Sequence, residues 1–179
     1  MNLKLCLASI GTAFCLLAGT PSSDWAGAFE SARAAYDAKN YYEAAKWSKI
    51  AAEQGNAVAQ FDFGVMYGKG QGVRQDYREA VNWYRKAAQQ GNAKAQYNLG
   101  VMYEQGQGVR QNYREAVNWF RRAAEQGLAP AQFSLGVMYD QGRGVRKNKA
   151  VAKEWFGKAC DNGEQKGCDQ YRRLNEKGF

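Results

Sequence analysis

Apolar positions along much of the chain recur every three or four residues, which is the spacing of an amphipathic helix. Over residues 57–68, one such stripe is formed by Ala59, Phe63, Met66 and Tyr67. The segment GKGQGVRQ follows. Its glycines Gly70 and Gly72 can adopt positive φ angles at little cost, so they are expected to end the helix. The pattern predicts a helix followed by a loop.

A second amphipathic helix is predicted directly after this loop. Asp76 is a suitable N-cap with Glu79 three residues later, and Gly91 is the residue type found just past a helix end. The expected buried face consists of Tyr77, Ala80, Val81, Tyr84, Ala87 and Ala88.

This helix–loop–helix unit occurs three times with a period of 36 residues. A fixed period of this size is typical of stacked arrays, in which each unit buries its apolar face only against its neighbours. Matching positions set the period, namely Gly64, Gly100 and Gly136, and Trp83, Trp119 and Trp155. We therefore expect an all-α solenoid.

The two ends of the repeated region differ from the full units, as capping units of arrays usually do. The first unit keeps the tryptophan column at Trp47 but has a shorter loop, and the last segment is polar. The predicted division is an N-terminal capping helix pair at 29–56, full repeats at 57–92, 93–128 and 129–163, and a C-terminal capping helix at 164–179.

The first 28 residues have the organisation of a secretory signal peptide. Lys4 precedes an apolar stretch, residues 5–17. That stretch is well short of the roughly 20 residues that a membrane span needs, so a membrane anchor is the weaker alternative. Small residues at Ala26 and Ala28 predict cleavage before Phe29. We expect a periplasmic or secreted protein with no membrane span in its mature chain.

Cleavage at this position would leave two cysteines, Cys160 and Cys168. An even pair of cysteines in an exported protein predicts a disulfide. Here the bridge would join the end of one helix to the start of the next, and so hold the C-terminal cap together.

The chain is basic, with 25 Lys and Arg residues against 17 Asp and Glu residues and a net charge of +8. Such a charge attracts anionic partners, and an anionic envelope polymer or lipid surface is therefore an open alternative. Nucleic acid is not expected as a partner of an exported protein. The cations considered for such a surface are Arg74, Arg85, Arg110, Arg121, Arg122, Arg146 and Lys147.

Histidine is absent from the chain. Its absence excludes Ser-His-Asp and Cys-His catalytic centres and the zinc sites that depend on histidine. None of the serines after residue 28 begins an S-x-x-K pattern, and no G-x-S-x-G sequence is present. We therefore expect no catalytic residue, no metal site and no cofactor.

The full units share the motif AQ-x-x-LG-x-MY-x-x-G-x-GV-x-x-x-Y-x-EAV-x-W-[YF]-x-x-AA-x-QG. This motif resembles that of the Sel-one-like repeat family, a relative of the tetratricopeptide repeats. One departure is that Arg74, Arg110 and Arg146 replace a proline common in the family's loop. The resemblance implies a right-handed α/α superhelix whose first helices line a concave face, where a peptide or partner helix docks. The candidate partner-binding residues are Val58, Phe61, Val65, Lys94, Tyr97, Val101, Glu104, Pro130, Phe133, Val137 and Asp140.

The resemblance implies a scaffold for protein–protein interaction rather than an enzyme. Val58, Lys94 and Pro130 differ between otherwise similar units, and such variation on one face is where specificity could be encoded. Two alternatives remain open. One is a β-lactamase-like or penicillin-binding hydrolase, an activity linked to cysteine-rich relatives. The other is the basic surface described above.

The tryptophan column is expected to pack between repeats, because helical spacing places each indole beside the buried face of its helix. Replacing Trp119 by alanine should therefore lower the free energy of unfolding by about 3–5 kcal/mol. Thermal and denaturant unfolding of the purified protein would measure this loss. An unchanged melting curve would show instead that Trp119 is an exposed contact residue.

Overall fold

The structure, a computed structural model, describes residues 24–179. These residues form nine α-helices and no β-strand, so the predicted all-α class is confirmed. Most of the predicted signal peptide, residues 1–23, lies outside the described residues. The helices are α1 (Asp24–Asp37), α2 (Tyr41–Glu53), α3 (Ala57–Lys69), α4 (Tyr77–Gln89), α5 (Ala93–Gln105), α6 (Tyr113–Glu125), α7 (Ala129–Gln141), α8 (Lys149–Asp161) and α9 (Gln165–Glu176).

Local capping interactions explain where these helices begin and end. The Asp76 carboxylate accepts hydrogen bonds from the backbone N–H groups of Arg78 and Glu79, at 2.8 and 3.1 Å, as the sequence predicted. Helix α3 ends at Gly70, which has a φ angle of +69°. The same cap and the same glycine recur in the following units, so each unit encodes its own helix boundaries.

The odd-numbered helices form one layer of a repeat superhelix, and the even-numbered helices form the other. The predicted core stripe of α3 is confirmed at Ala59, Phe63 and Met66, which are each 1–2% exposed, whereas Tyr67 is half-buried. The predicted face of α4 is also buried, except for Tyr77, which is half-buried. The core is therefore a continuous strip between the layers rather than one central cluster.

A column of glycines allows the two helices of each unit to approach closely. A Cβ atom added at Gly64 would lie 2.8 Å from the Tyr84 ring, and one at Gly100 would lie 2.6 Å from the Phe120 ring. Because real Cβ contacts are longer than this, the aromatic ring of the second helix rests directly on the backbone of the first. Gly136 repeats the arrangement in the third full unit.

Buried glutamines connect each unit to the next, which the sequence analysis did not anticipate. Gln96 in α5 is 5% exposed. Its Nε2 donates to the Ala88 carbonyl in α4 at 3.1 Å, and its Oε1 accepts from Gln126 Nε2, just after α6, at 2.8 Å. One buried amide therefore satisfies its hydrogen bonds by joining three helices. Gln60 and Gln132 make the equivalent bonds.

The tryptophan column lies at the boundaries between units. Trp83 is only 8% exposed and packs in the core cluster that contains Ala44 and Ala51 of the preceding unit. Its ring centroid is also 5.2 Å from that of Phe63 in its own unit. Trp119 packs against the core cluster of α4 and α5. In the three full units a cation one turn later lies over the ring; for example, Lys86 Nζ lies 3.8 Å from the centre of the Trp83 ring.

Each inter-helix loop packs against the unit that precedes it. At Gly72, Gly108 and Gly144 the φ angle is close to +70°, and a Cβ atom would collide with backbone at the start of the preceding unit's second helix. Any side chain at these three positions would push the loop away from that helix. The glycines therefore hold the loops in a row along one edge of the array.

A disulfide closes the C-terminal end of the array. Cys160 in α8 is bonded to Cys168 in α9, with their Cα atoms 4.6 Å apart. Cys160 occupies the column of Ala88, and Cys168 occupies the column of Gln96. The covalent bond thus replaces, at the last position, the hydrogen bond that glutamine makes in the full units.

Helix α1 begins upstream of the predicted signal-peptide cleavage site. Ala28 lies inside this helix and is 5% exposed, within the core cluster of α1, α2 and α3. Cleavage before Phe29 would remove the first residues of the helix and one buried contact. The exact cleavage position stays a prediction.

Two glycines of α3, one turn apart, provide a matched test of the close helix approach. We expect Gly64→Ala to destabilise the protein by about 1–3 kcal/mol, because the added methyl overpacks against Tyr84. A Cβ at Gly68 would make ordinary contacts of 3.7 and 3.9 Å. Gly68→Ala should therefore be neutral or stabilising, by up to about 1 kcal/mol. Chemical denaturation measures both, and equal effects of the two substitutions would contradict the close approach.

The disulfide predicts that the native, unreduced protein has no titratable thiol among residues 24–179. Its loss should cost roughly 2–3 kcal/mol in the chain-entropy description, since the loop it closes is short. Replacing both Cys160 and Cys168 by serine should lower the melting temperature, and reductant should then have no further effect. Two reactive thiols in the native, unreduced protein would contradict the bridge.

Candidate functional site

A groove lies between α1, α3 and α5, on the side of the array formed by the first helices. Its volume is about 800 Å³. Helix α1 contributes Phe29, Arg33, Tyr36 and Asp37 to its lining. From the predicted partner-binding stripe, it is lined by Val58, Phe61, Val65, Lys94 and Val101, together with Gly68 of the same face.

The remaining residues of the predicted stripe lie outside this groove and contact neighbouring parts of the array. Tyr97 packs against Phe120, with ring centroids 5.7 Å apart, and Phe133 packs against Phe156 at 5.6 Å. Pro130 is half-buried in the first turn of α7, and Val137 packs against the cluster that contains Leu174.

Both carboxylates of the predicted stripe form ion pairs within the protein. Glu104 is 3.8 Å from Arg143, in the loop of the next unit, and Asp140 is 2.8 Å from Arg173 in α9. Burial raises the pKa of Glu104, and the charge of Arg143 opposes that rise. Both carboxylates are therefore already paired with arginines of the protein itself.

The lining of the groove is largely apolar. Phe61 is half-buried and packs against Tyr84, with ring centroids 6.0 Å apart. Val58 stands at the rim and is 46% exposed, which is unusual for a large aliphatic side chain in this array. An apolar lining with an exposed apolar rim is a surface that gains free energy when another apolar group covers it.

Polar groups interrupt this lining at Asp62, Tyr84 and Asn98. Burial raises the pKa of the Asp62 carboxyl, while the nearby charges of Lys94 and Arg33 act in the opposite direction. Burial also raises the pKa of the Tyr84 hydroxyl to about 12, against the effect of the neighbouring Asn98 side chain. The hydroxyl is therefore a neutral hydrogen-bonding group at physiological pH.

Cations surround the opening of the groove. Arg33, Lys69 and Lys94 line it and are exposed. None of the three forms an ion pair with another described residue. Asp37 is the exposed carboxylate of the lining. The groove therefore offers apolar contacts inside and an excess of unpaired positive charge at its edge.

The sequence analysis missed the contribution of α1 and the polar groups of the lining. One signal for the latter was present, because Tyr84 stands where the other units have Phe120 and Phe156. No signal indicated that α1 faces α3 and α5 across a groove.

The cations predicted for an anionic surface fall into two groups. Arg85 and Arg121 donate hydrogen bonds to the hydroxyls of Tyr103 and Tyr139, at 3.4 and 2.9 Å, and Arg122 lies over the Trp119 ring. Arg85 and Arg121 thus join neighbouring units, whereas Arg122 is exposed and contacts a residue of its own helix. The other four are exposed in the loops and are Arg74, Arg110, Arg146 and Lys147.

The described residues contain neither a metal-binding cluster nor a helix that could span a membrane. Among residues 24–179, no three His, Cys, Asp or Glu side chains are grouped so that they could hold a metal ion. None of the helices over this range combines the length and the apolar character that crossing a membrane requires.

Comparison with known proteins identifies the repeat. The sequence pattern described as "Sel1 repeat" matches residues 36–56, 57–92, 93–128 and 129–164, which is most of the chain. Among curated protein sequences, none matches the chain significantly. Proteins with Sel1 repeats generally mediate protein–protein interactions, and their fold is typically non-enzymatic.

Solved structures show the same architecture. A protective antigen of uropathogenic Escherichia coli that displays an SLR fold is 40% identical, with a TM-score of 0.85 over 88% of this chain and 35% of its own. A Sel1 repeat protein from Oxalobacter formigenes is 37% identical, with a TM-score of 0.80 over 84% of this chain and 62% of its own. Helicobacter pylori cysteine rich protein B, 24% identical with a TM-score of 0.57 over 70% of this chain and 95% of its own, shares the fold.

The chain thus spans about a third of the Escherichia coli protein and less than two thirds of the Oxalobacter protein. The repeat pattern covers four successive segments, and these structures follow the same helical array. This chain belongs to the Sel1 repeat family.

Proposed function

We propose that this protein is an exported scaffold that docks a peptide or partner helix in the groove between α1, α3 and α5. The observation that carries the proposal is the groove itself, with an apolar lining and unpaired cations at its edge. A volume of about 800 Å³ falls within the range of ordinary ligand sites, and it is open enough for a segment of another chain.

The chemistry of the groove favours an amphipathic partner segment. Apolar side chains of the partner would cover Val58, Phe61 and Val65, which supplies most of the binding free energy. Acidic side chains would face Lys94 and Arg33, and these charges would set the orientation more than the affinity. The rest of the predicted stripe supports the groove by holding successive units in place.

Export is the second part of the proposal. The Cys160–Cys168 bridge favours an oxidising compartment, since disulfides persist in the periplasm and outside cells but are rare in the cytosol. The predicted signal peptide agrees with this location. We infer a periplasmic or extracellular protein.

The docking site can be tested with peptides from a random displayed library that have been selected for binding to the folded protein. Val58→Asp and Lys94→Glu should each weaken the binding of a selected fluorescent peptide by about tenfold or more, a loss of about 1.4 kcal/mol. Val58 and Lys94 are both exposed, so the fold should tolerate these changes. Fluorescence anisotropy measures the affinities.

A matched control is available in the same repeat column. Lys166 occupies in α9 the position of Lys94 in α5, is exposed, and lies outside the groove. Lys166→Glu makes the same change of charge and should leave peptide affinity unchanged. Equal binding by all four proteins, or an equal loss in the control, would refute docking in this groove.

A further inference from the structure

Positive charge is distributed unevenly among the three stacked loops. We call the three loop segments 73–79, 109–115 and 145–151, each with the start of its following helix, the loop strip. Their formal charges are 0, +1 and +3. Positive charge therefore increases along one edge of the array toward its C-terminal end.

This gradient arises because carboxylates disappear and lysines are added, while the first arginine of each segment stays. Beside Arg74 stand Asp76 and Glu79, whereas beside Arg110 the matching positions are Asn112 and Glu115. In the third segment the matching positions are Asn148 and Val151. Lys147 replaces a glutamine and Lys149 a tyrosine, while Ala150 stands in the column of the second arginine.

The fold does not require this loss of negative charge. Asp76 and Asn148 both cap the following helix through a side-chain oxygen, and Asn148 accepts from the Val151 N–H at 3.1 Å. Asparagine and aspartate are about equally good at this position, and aspartate would add a favourable interaction with the helix dipole. The change alters the electrostatic potential of the strip rather than the helix boundary.

The arginines of the loop strip are free to bind a ligand. Arg74, Arg110 and Arg146 are exposed, as is Lys147, and none of them forms an ion pair with another described residue. Arg143, by contrast, pairs with Glu104 and lies outside the strip.

The loops also hold the arginines in a regular row. Gly72, Gly108 and Gly144 fix each loop against the preceding unit. The loop at Gly108 lies directly against the backbone of Tyr77, just after the loop that carries Arg74, so successive loops are close neighbours. Because the Debye length at 0.1 M salt is about 10 Å, the potentials of such close neighbours reinforce one another.

Two clefts lie along the loop strip. One cleft beside Arg110, of about 840 Å³, is lined by Gln111, Asn112 and Tyr113, and a smaller one beside Arg74 measures about 620 Å³. Their amide, hydroxyl and guanidinium groups offer hydrogen bonds that suit the hydroxyl groups of a ligand. Glu115 lines the cleft beside Arg110, and Asp76 and Glu79 line the one beside Arg74, so negative charge is greater at the N-terminal cleft.

We propose that the loop strip binds a linear polyanionic polysaccharide. Its carboxylate or sulfate groups would pair with the cations of successive loop segments, with the strongest contact at Arg146 and Lys147. This site is separate from the docking groove and does not depend on it. Charge complementarity selects a polyanion, and the regular row selects a linear one.

The tyrosines of the strip argue against a single-stranded nucleic acid. Such ligands are held by bases stacked on free aromatic rings. The Tyr113 hydroxyl accepts a hydrogen bond from Gln111 at 3.1 Å, and the Arg143 guanidinium lies 5.7 Å from the ring centre. Tyr113 is half-buried, so its ring is not an open platform.

Binding of a size-defined heparin oligosaccharide and of polygalacturonate tests the proposal, with dextran as the uncharged reference. The double variant Arg146→Gln/Lys147→Gln should bind at least one of the two polyanions about tenfold more weakly than the unmodified protein. Its affinity should also depend less steeply on salt. Arg74→Gln should cause a smaller loss, since two carboxylates flank that arginine. Isothermal titration calorimetry measures these affinities.

The double variant Lys166→Gln/Arg172→Gln is the matched control, because it removes the same charge from exposed positions of α9. It should bind within about twofold of the unmodified protein, since long-range charge is screened. An equal loss in the control would show a general effect of net charge and overturn the site. The proposal also fails if neither polyanion binds at low salt, or if only single-stranded DNA or anionic vesicles bind.

Discussion

The close contact between the two helices of each unit is the constraint on which the array depends. At Gly64, Gly100 and Gly136, an aromatic ring of the second helix lies directly on the backbone of the first. A side chain at these positions would separate the layers, and the alanine-rich faces could no longer meet. The short distance between layers also lets each loop reach the preceding unit, where Gly108 and its equivalents hold it.

Units of this kind have no closed core, so contacts between neighbours must supply both stability and register. The buried amide of Gln96 does both, because its hydrogen bonds are satisfied only when α4, α5 and α6 occupy the correct relative positions. In α9 this column holds Cys168 in place of a glutamine. The Cys160–Cys168 bridge connects the same two columns covalently.

Both proposed binding surfaces lie where the units depart from one another. The groove contains Asp62, Tyr84 and Asn98, and the first two differ in type from their counterparts in the next unit. The loop strip keeps its arginine in every unit but loses its carboxylates one by one. Positions that repeat faithfully build the scaffold. Positions that vary are free to carry specificity, because the scaffold does not need them.

The sequence by itself determined the helix boundaries, the core faces and the period. These features depend on interactions within a few residues of the chain, such as the Asp76 cap, and on a pattern repeated often enough to be unambiguous. The tertiary structure alone decided that α1 completes a groove with α3 and α5. It also decided that Asp140 is paired with Arg173, 33 residues away. Such contacts follow from the rotation between successive units, which accumulates along the array and leaves no mark in the local sequence pattern.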